Sequence, residues 1–416
     1  GSMKPVTLII VGAGGRGSTY ARFALAYPKR AKVVGVAEPR DAYRERLVAE
    51  HGIASEAVFK DWRELADRPR MADAVIVATQ DHMHTEPAIA FADRGYHILL
   101  EKPMAPNAEE CHQIVNAVTQ AGVLFGVCHV LRYTSFTRGM KALIDSGAIG
   151  ELVGIERLEP VGFWHMAHSF VRGNWRNEGE SGPMLLTKSC HDLDWIQHIM
   201  GCACTAVASF GSLKHFRADE APPGAGARCL ECEIEATCPY SAKRIYLEAL
   251  RRGYGGWPID VLIPNPTDDD VLDALRSGPY GRCVYACDND VVDHQVVTMD
   301  FEGERTASFT MMAFTRMRHR DTRIFGTRGE LTGDGRFIDH YDFLTDMTER
   351  IDTELTESSI LGGHGGGDYG LMDSFVRAVA ENDPQHILSG PEETLASHLM
   401  VFAAEQARRE GRVITL

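Results

Sequence analysis

"VTLIIVGAGGRGSTYARFAL" (Val6–Leu25) passes from a strand-like run into four glycines within six positions, and then into a helix-forming stretch. Val6 to Val11 lacks the in-and-out alternation of a half-exposed strand and reads as a strand buried on both faces. A helix is expected from about Ser18. Gly12-Ala13-Gly14-Gly15-Arg16-Gly17 fits G-x-G-x-x-G in the strand-to-helix context where that spacing binds a dinucleotide. Gly12 permits the tight turn, Gly14 lets backbone approach a pyrophosphate, and Gly17 lets helix and strand pack closely. The helix start then turns its free N–H groups toward the phosphates. Glu38 ends the next apolar run, 21 residues past Gly17, where a carboxylate takes ribose hydroxyls. It would repel a 2′-phosphate, so NAD is favoured over NADP, although Arg16 and Arg40 keep NADP open. The bland alternative is a tight βα turn with no ligand.

Outward from this stretch, "KVVGVAEP", "ADAVIVATQ", "YHILLEK" and "VLFGVC" read as four more strands. Between them lie helix-length segments such as "RDAYRERLVAEHG" and "TEPAIAFADRG", each closed by a glycine. Asn107 and Glu110 offer a capping box for a helix ending near Gly122. Strands alternating with helices specify an α/β, doubly wound parallel sheet of the Rossmann kind, expected over residues 3–131. The rest, 132–416, has longer strands joined by turns. It reads as an α+β domain with an open, mostly antiparallel sheet. "HQVVTMDFEGERTASFTMMAF" and "TRIFGTRGEL" read as a meander, "HDLDWIQHIMG" as a helix, and "EETLASHLMVFAAEQARREG" as a C-terminal amphipathic helix. Residues 214–290, rich in Pro, Gly, Asp and Cys, read as an insertion.

A net charge of −15 argues against a nucleic-acid surface. No apolar stretch is long enough to span a bilayer. The start resembles no signal peptide, Gly1-Ser2 resembles an expression scar, and ten cysteines in 416 residues are no secreted disulfide scaffold. A cytoplasmic location is expected.

Ligands of an open parallel sheet sit beyond the carboxyl ends of its strands. The loop after the third strand (Thr79, Asp81, His84) and Glu101-Lys102 after the fourth emerge there, beside the glycine loop. Lys102 could donate to a substrate hydroxyl beside the nicotinamide, with Glu101 holding it in place. A solvated lysine at a strand end is the ordinary alternative. Together, the glycine loop, Glu38 and "ATQDHMHTEPAIAFADRGYHILLEKPMA" resemble the glucose-fructose oxidoreductase / inositol dehydrogenase / MocA family, and "SGPMLLTKSCHDLDWIQHIMG" extends the match. The resemblance implies Lys102 and His191 as the catalytic pair, Asp194 beside them, His84 as cofactor-side packing, and a homo-oligomer formed through the C-terminal sheet. Independently, a histidine is suited to accept a hydroxyl proton as hydride leaves carbon. One departure stands out. The family usually carries an aspartate four residues before the histidine, whereas this chain has Thr187 followed by Lys188, a cation suited to an anionic or strongly hydrogen-bonding substrate.

"GFWHMAHSFVRGNWRN" gathers Trp164, His165, His168, Arg172, Trp175 and Arg176. Aromatic faces with interleaved donors suit a sugar, and the arginines suit a carboxylate, phosphate or sulfonate. A loop of core tryptophans and solvated arginines is the alternative. "GGHGGGDYG", with His364 and Asp368, reads as a lid or simply a flexible loop. Cys229, Cys232 and Cys238, with Cys287 or alternatively Cys283 as a fourth ligand, suit a structural zinc; free thiols or an iron–sulfur centre stay open. The expected activity is NAD-dependent oxidation of a secondary hydroxyl on a sugar, cyclitol or glycoside. Two alternatives use the same parts: a glycosidase that oxidises, eliminates, adds water and re-reduces, with a sulfonated sugar as one candidate substrate, and a non-catalytic NAD sensor.

Overall fold

The computed structural model describes residues 4–356 and 366–416, without the side chains of Asp81, Leu355 and Thr356. His364 lies outside the described residues.

Strands β1 (Val6–Val11), β2 (Ala31–Ala37), β3 (Val58–Phe59), β4 (Ala74–Val77), β5 (His97–Leu100) and β6 (Phe125–Val127) form a parallel sheet in the order β3-β2-β1-β4-β5-β6. The chain runs outward from β1 to β3 and then returns to the other side of β1, so a crevice opens where β1 and β4 end. Along β1, Leu8 and Ile10 enter one core with Tyr20 and Phe23, while Ile9 and Val11 enter another with Val75, Val77 and Phe91. Burial on both faces explains the unbroken apolar run. The five expected strands are present. β3, two residues long, carries no periodicity to read.

The helix after β1 begins at Gly15 rather than Ser18 and runs to Ala26. Gly52 and Gly122 close the Asp41–His51 and Ala108–Ala121 helices in the left-handed conformation. Asn107 accepts from the Glu110 amide at 2.9 Å, but the return bond joins its side-chain amide to the Glu110 carboxylate, so this is a one-sided cap.

The second sheet comprises β7 (Leu152–Pro160), β8 (Cys204–Ser212), β9 (His294–Phe301), β10 (Arg305–Met312), β11 (Asp321–Gly326), β12 (Gly329–Gly333), β13 (Phe337–Asp342), β14 (Met347–Asp352) and β15 (Ile414–Thr415). Their order is β14-β13-β12-β11-β7-β10-β9-β8-β15, antiparallel except for the parallel pair β7–β10. The expected meander is corrected in one respect: β7 inserts between β10 and β11. One face carries Val297, Phe309 and Ile324 into the core. The other leaves Val153, Phe210 and Val296 exposed, and a shallow trough of about 570 Å³ is lined by Ala206, Thr298 and Ser308.

Two further features depart from expectation. Residues 214–290 are not short of apolar material: Tyr246, Ile259, Val271, Leu275 and Val284 are buried and join the core of the second sheet. The helix Gly367–Glu381 also leaves that sheet behind. Its Leu371, Met372, Phe375 and Val376 pack on Tyr20 and Phe23 of the first.

Candidate active site

The glycine loop fits a dinucleotide on its own geometry. Gly12 has φ +92°, and a Cβ there would lie 2.5 Å from the Ala78 carbonyl oxygen. A Cβ on Gly17 would lie 2.0 Å from the Gly12 oxygen, whereas nothing stands within 4 Å of one built on Gly15. Closure at Gly12 and Gly17 with open space at Gly15 is what close phosphate approach requires. Gly14 at the helix start offers no side-chain cap, so the first-turn N–H groups keep their donor capacity.

Glu38 is buried at the end of β2 and accepts from the Ala13 amide and the Arg40 amide, both at 2.9 Å, while the Arg40 guanidinium grips it at 3.0 Å. Burial opposes its ionisation, but the bonds from Arg40 and the two amides prevail and hold the carboxyl below its usual range. Arg16 turns from the glycine loop to Asp368 at 2.5 Å and to the Tyr20 hydroxyl at 2.9 Å. Tyr20 in turn donates to Glu101 at 2.5 Å. The expected Glu101–Lys102 support is therefore corrected, because the Glu101 carboxylate belongs to the Tyr20–Arg16 network. Fully buried His84 meets the Pro103 carbonyl at 2.7 Å and the Thr79 carbonyl at 3.1 Å, tying the loops after β4 and β5 together. The Thr79 hydroxyl donates to the Met83 carbonyl. The side chain of Asp81 lies outside the described residues.

Lys102, half-buried, donates from Nζ to the Thr187 carbonyl oxygen at 2.7 Å. The departure noted in the sequence thus becomes a contact: where an aspartate was expected, a main-chain oxygen holds the lysine. His191, in the first turn of the Cys190–Met200 helix, stands edge-on to His129 with ring centroids 5.8 Å apart. Asp194 is not presented to a ligand. Arg132 grips it at 2.7 and 2.8 Å, Ser397 donates to it at 2.7 Å, and its carboxyl is held far below the normal range. It anchors the helix that carries His191.

Four charged residues that the sequence reading passed over form the wall behind the lysines. Buried Asp192 accepts from Arg157 at 2.9 Å and from Arg320 at 3.0 Å, and Arg320 also pairs with Glu159 at 2.5 Å. They come from β7, the helix start and the turn before β11, so only the fold assembles them. Burial drives Lys188 below the usual lysine range, with Arg320 and Lys102 pushing the same way against Glu159. Burial, then the charges of Lys188 and His168, push His165 well below its ordinary value.

The aromatic segment divides. Trp164 and His165 meet Trp257 from the insertion at 5.4 and 4.9 Å, forming an apolar and partly exposed wall. Trp257 had no signal in sequence, since it lies about ninety positions away. Trp175 is 40% exposed and packs loosely on Phe170. The two arginines correct expectation. Arg172 is buried, donating to the carbonyls of Arg282 at 2.7 Å and Tyr240 at 2.8 Å. Arg176 pairs with Asp288 at 2.8 Å. Both hold the insertion in place rather than a ligand.

Of the two expected cysteine sets, the one with Cys283 in fourth place is the one the fold gathers. Cys229, Cys232, Cys238 and Cys283 line one small cavity and Cys287 does not. A tetrahedral thiolate site holds its sulfurs roughly 3.8 Å apart. Among the described residues, the group of His, Cys, Asp or Glu donors gathered within 4.8 Å is the more exposed Glu381, Asp383 and His386, not a cysteine set. Among the described residues no cysteine is joined in a disulfide. No helix among the described residues is long and apolar enough to cross a membrane.

Comparison with known proteins adds a second line. A family described as "Oxidoreductase family, NAD-binding Rossmann fold" matches residues 6–129, and its "C-terminal alpha/beta domain" matches 141–416. The chain is 29% identical over 192 residues to a 2,7-anhydro-N-acetylneuraminate hydratase of Escherichia coli, covering 46% of this chain and 49% of that one. It is 30% identical over 200 residues to an inositol 2-dehydrogenase of Streptomyces avermitilis, covering 48% and 54%. These alignments span about half of each relative. An NAD binding oxidoreductase from Klebsiella pneumoniae shares the fold, with a TM-score of 0.71 and 19% identity over 99% of this chain and 98% of that one.

Proposed function

The chain belongs to the glucose-fructose oxidoreductase / inositol dehydrogenase / MocA family of NAD-binding oxidoreductases, and from that premise we propose that it oxidises a secondary hydroxyl of a sugar, cyclitol or glycoside with NAD. The observation that carries this reading is the placement of Lys102, held on the Thr187 carbonyl at the crevice end of the sheet. The glycine loop and Glu38 would hold the dinucleotide, whose nicotinamide would supply the hydride acceptor for the substrate carbon. Lys102 donates to the substrate hydroxyl and stabilises the alkoxide as the C–H bond weakens. His191 takes the hydroxyl proton, and the Arg132–Asp194 pair fixes the helix that presents it. Trp164 and Trp257 stack on the carbon skeleton. Glu38, already bonded to Arg40, favours the ribose hydroxyls of NAD over a 2′-phosphate. Residues 3–131 are assigned to the cofactor and 132–416 to substrate and self-association. The exposed apolar face of the second sheet is the surface for a homo-oligomer.

A second reading keeps the hydride inside the cycle. The hydratase relative names a water addition, which involves no net redox change, and a glycoside could be oxidised, eliminated, hydrated and re-reduced on the same residues. The test is incubation with NAD and a panel of sugars, cyclitols and aryl glycosides while NADH absorbance and free aglycone are followed together. NADH rising with substrate loss establishes the dehydrogenase. NAD-dependent aglycone release without net NADH establishes the glycosidase. Neither signal with any compound removes both.

A further inference from the structure

The charges around the crevice do not cancel. Four cations meet there, Lys102, Lys188, Arg157 and Arg320, against two carboxylates, Asp192 and Glu159. Both carboxylates are committed to the arginines: Asp192 to Arg157 and Arg320, Glu159 to Arg320. That leaves the two ammonium groups. Lys102 has a carbonyl oxygen, and that carbonyl belongs to the peptide that joins Thr187 to Lys188, so the Lys102 ammonium rests against the backbone of the second lysine. Lys188 is half-buried and has no hydrogen bond or ion pair among the described residues. Glu159 and Asp192 reach it only through space, so its ammonium is drawn partly out of water with no bonded acceptor, which is unfavourable. A binding crevice keeps such a group when the ligand brings the missing anion.

Resting on the oxidoreductase reading above, we propose that the substrate carries an anionic substituent, a carboxylate or sulfonate on the ring, and that Lys188 is the residue that binds it. Arg320 and Arg157 add positive potential from behind without being free to bond, because Asp192 and Glu159 hold them. His165, pressed against Trp257, completes the wall as a neutral hydrogen-bonding ring beside Lys188. The division of labour follows from position. Lys102 faces the hydroxyl that reacts, and Lys188 faces the group that identifies the substrate. A neutral sugar would fill the aromatic wall but leave Lys188 without its counterion.

The test is titration of the NAD-loaded protein with matched ligands: glucuronate, 6-deoxy-6-sulfoglucose and glucose 6-phosphate, each against glucose, followed by calorimetry and by turnover. At least one anionic ligand is expected to bind about 10- to 100-fold more tightly than glucose, the range for a charge-assisted bond. Lys188→Met removes that preference and Lys188→Arg restores most of it. Preference for the phosphate alone would replace the proposed chemistry with a dianion and overturn the carboxylate or sulfonate assignment. Equal binding of charged and neutral sugars, or a preference that survives in Lys188→Met, would overturn the proposal outright. A separate titration with NAD alone tells a substrate anion from the cofactor's own pyrophosphate: a large loss of NAD affinity in Lys188→Met assigns the lysine to the cofactor and removes it from the substrate. Anion-selective binding without turnover of any ligand supports the anion site while counting against the oxidoreductase reading, so the two fail separately.

Discussion

Lys102 and Asp194 show how differently two charged side chains fare within one site. Both were legible as candidates. A lysine ending a buried strand and an aspartate one turn after a histidine are visible in a linear chain, but their partners are not. Lys102 ends on a carbonyl 85 residues away and Asp194 on an arginine 62 residues away, and no local pattern announces either contact. For the same reason Arg172 and Arg176 were misread, since their partners lie in the insertion. Lys102→Met is expected to lower kcat by about 10²- to 10⁴-fold, the usual loss on removing a proton-handling group, while NAD affinity changes little. Single-turnover hydride transfer and an NAD titration check the two halves, and full turnover in the variant would rule the lysine out. Removing Asp194 leaves Arg132 buried without its anion. Asp194→Ala is expected to lower stability by about 3–5 kcal/mol, read by urea unfolding.

Among the elements, the first sheet was readable because its strands are buried on both faces and two of its helices end on left-handed glycines. The apolar strands of the second sheet were also readable, whereas their order was not. The placement of β7 between β10 and β11 depends on pairing across some 150 residues, and alternation within a strand says nothing about its neighbour. β13 and β14 escaped notice because β13 buries only Ile338 and β14 is mostly exposed, so neither carries an apolar stripe. The glycine loop offers the sharpest test at this scale. Gly17→Ala would put a methyl 2.0 Å from the Gly12 oxygen, so helix and strand must separate. A loss of about 1–3 kcal/mol in stability is expected together with loss of NAD binding. Thermal unfolding with and without NAD measures both. Gly15→Ala, which meets no atom within 4 Å, is the control for folding.

The whole molecule carries several histidines that burial keeps neutral. Burial lowers His129 to about 3, and lowers His168 and His198 to about 4 with help from Arg172 and Arg132 respectively. Unfolded histidine takes up its proton near ~6.5, so below that pH the unfolded chain binds more protons than the folded one. The stability these groups permit is complete above ~6.5 and falls as pH drops toward their folded values, at up to about 1.4 kcal/mol per pH unit for each. Asp194, also depressed, adds its own loss only below ~3.9. Unfolding midpoints are therefore expected to decline from pH 6.5 to 4.5, before carboxylates titrate, and His129→Leu should flatten that decline if it folds. His168→Phe serves as the second variant. A midpoint level across that range would refute the account.

The Gly367–Glu381 helix has a consequence for the order in which the protein can be made. The first sheet is complete in sequence by Val127, yet one of its faces stays open until Leu371, Met372 and Phe375 arrive, and Arg16 waits for Asp368, 352 positions later. During synthesis at the ribosome, the amino-terminal portion must hold an apolar surface around Tyr20 and Phe23 in reserve while more than two hundred residues are added. A fragment ending at residue 131 is expected to bind a hydrophobic dye and to unfold at markedly lower urea than the full chain. A fragment as stable as the full chain would show that this surface needs no cover. Until the Gly367–Glu381 helix has left the exit tunnel, the nascent chain is a natural client for chaperones that shield exposed apolar faces.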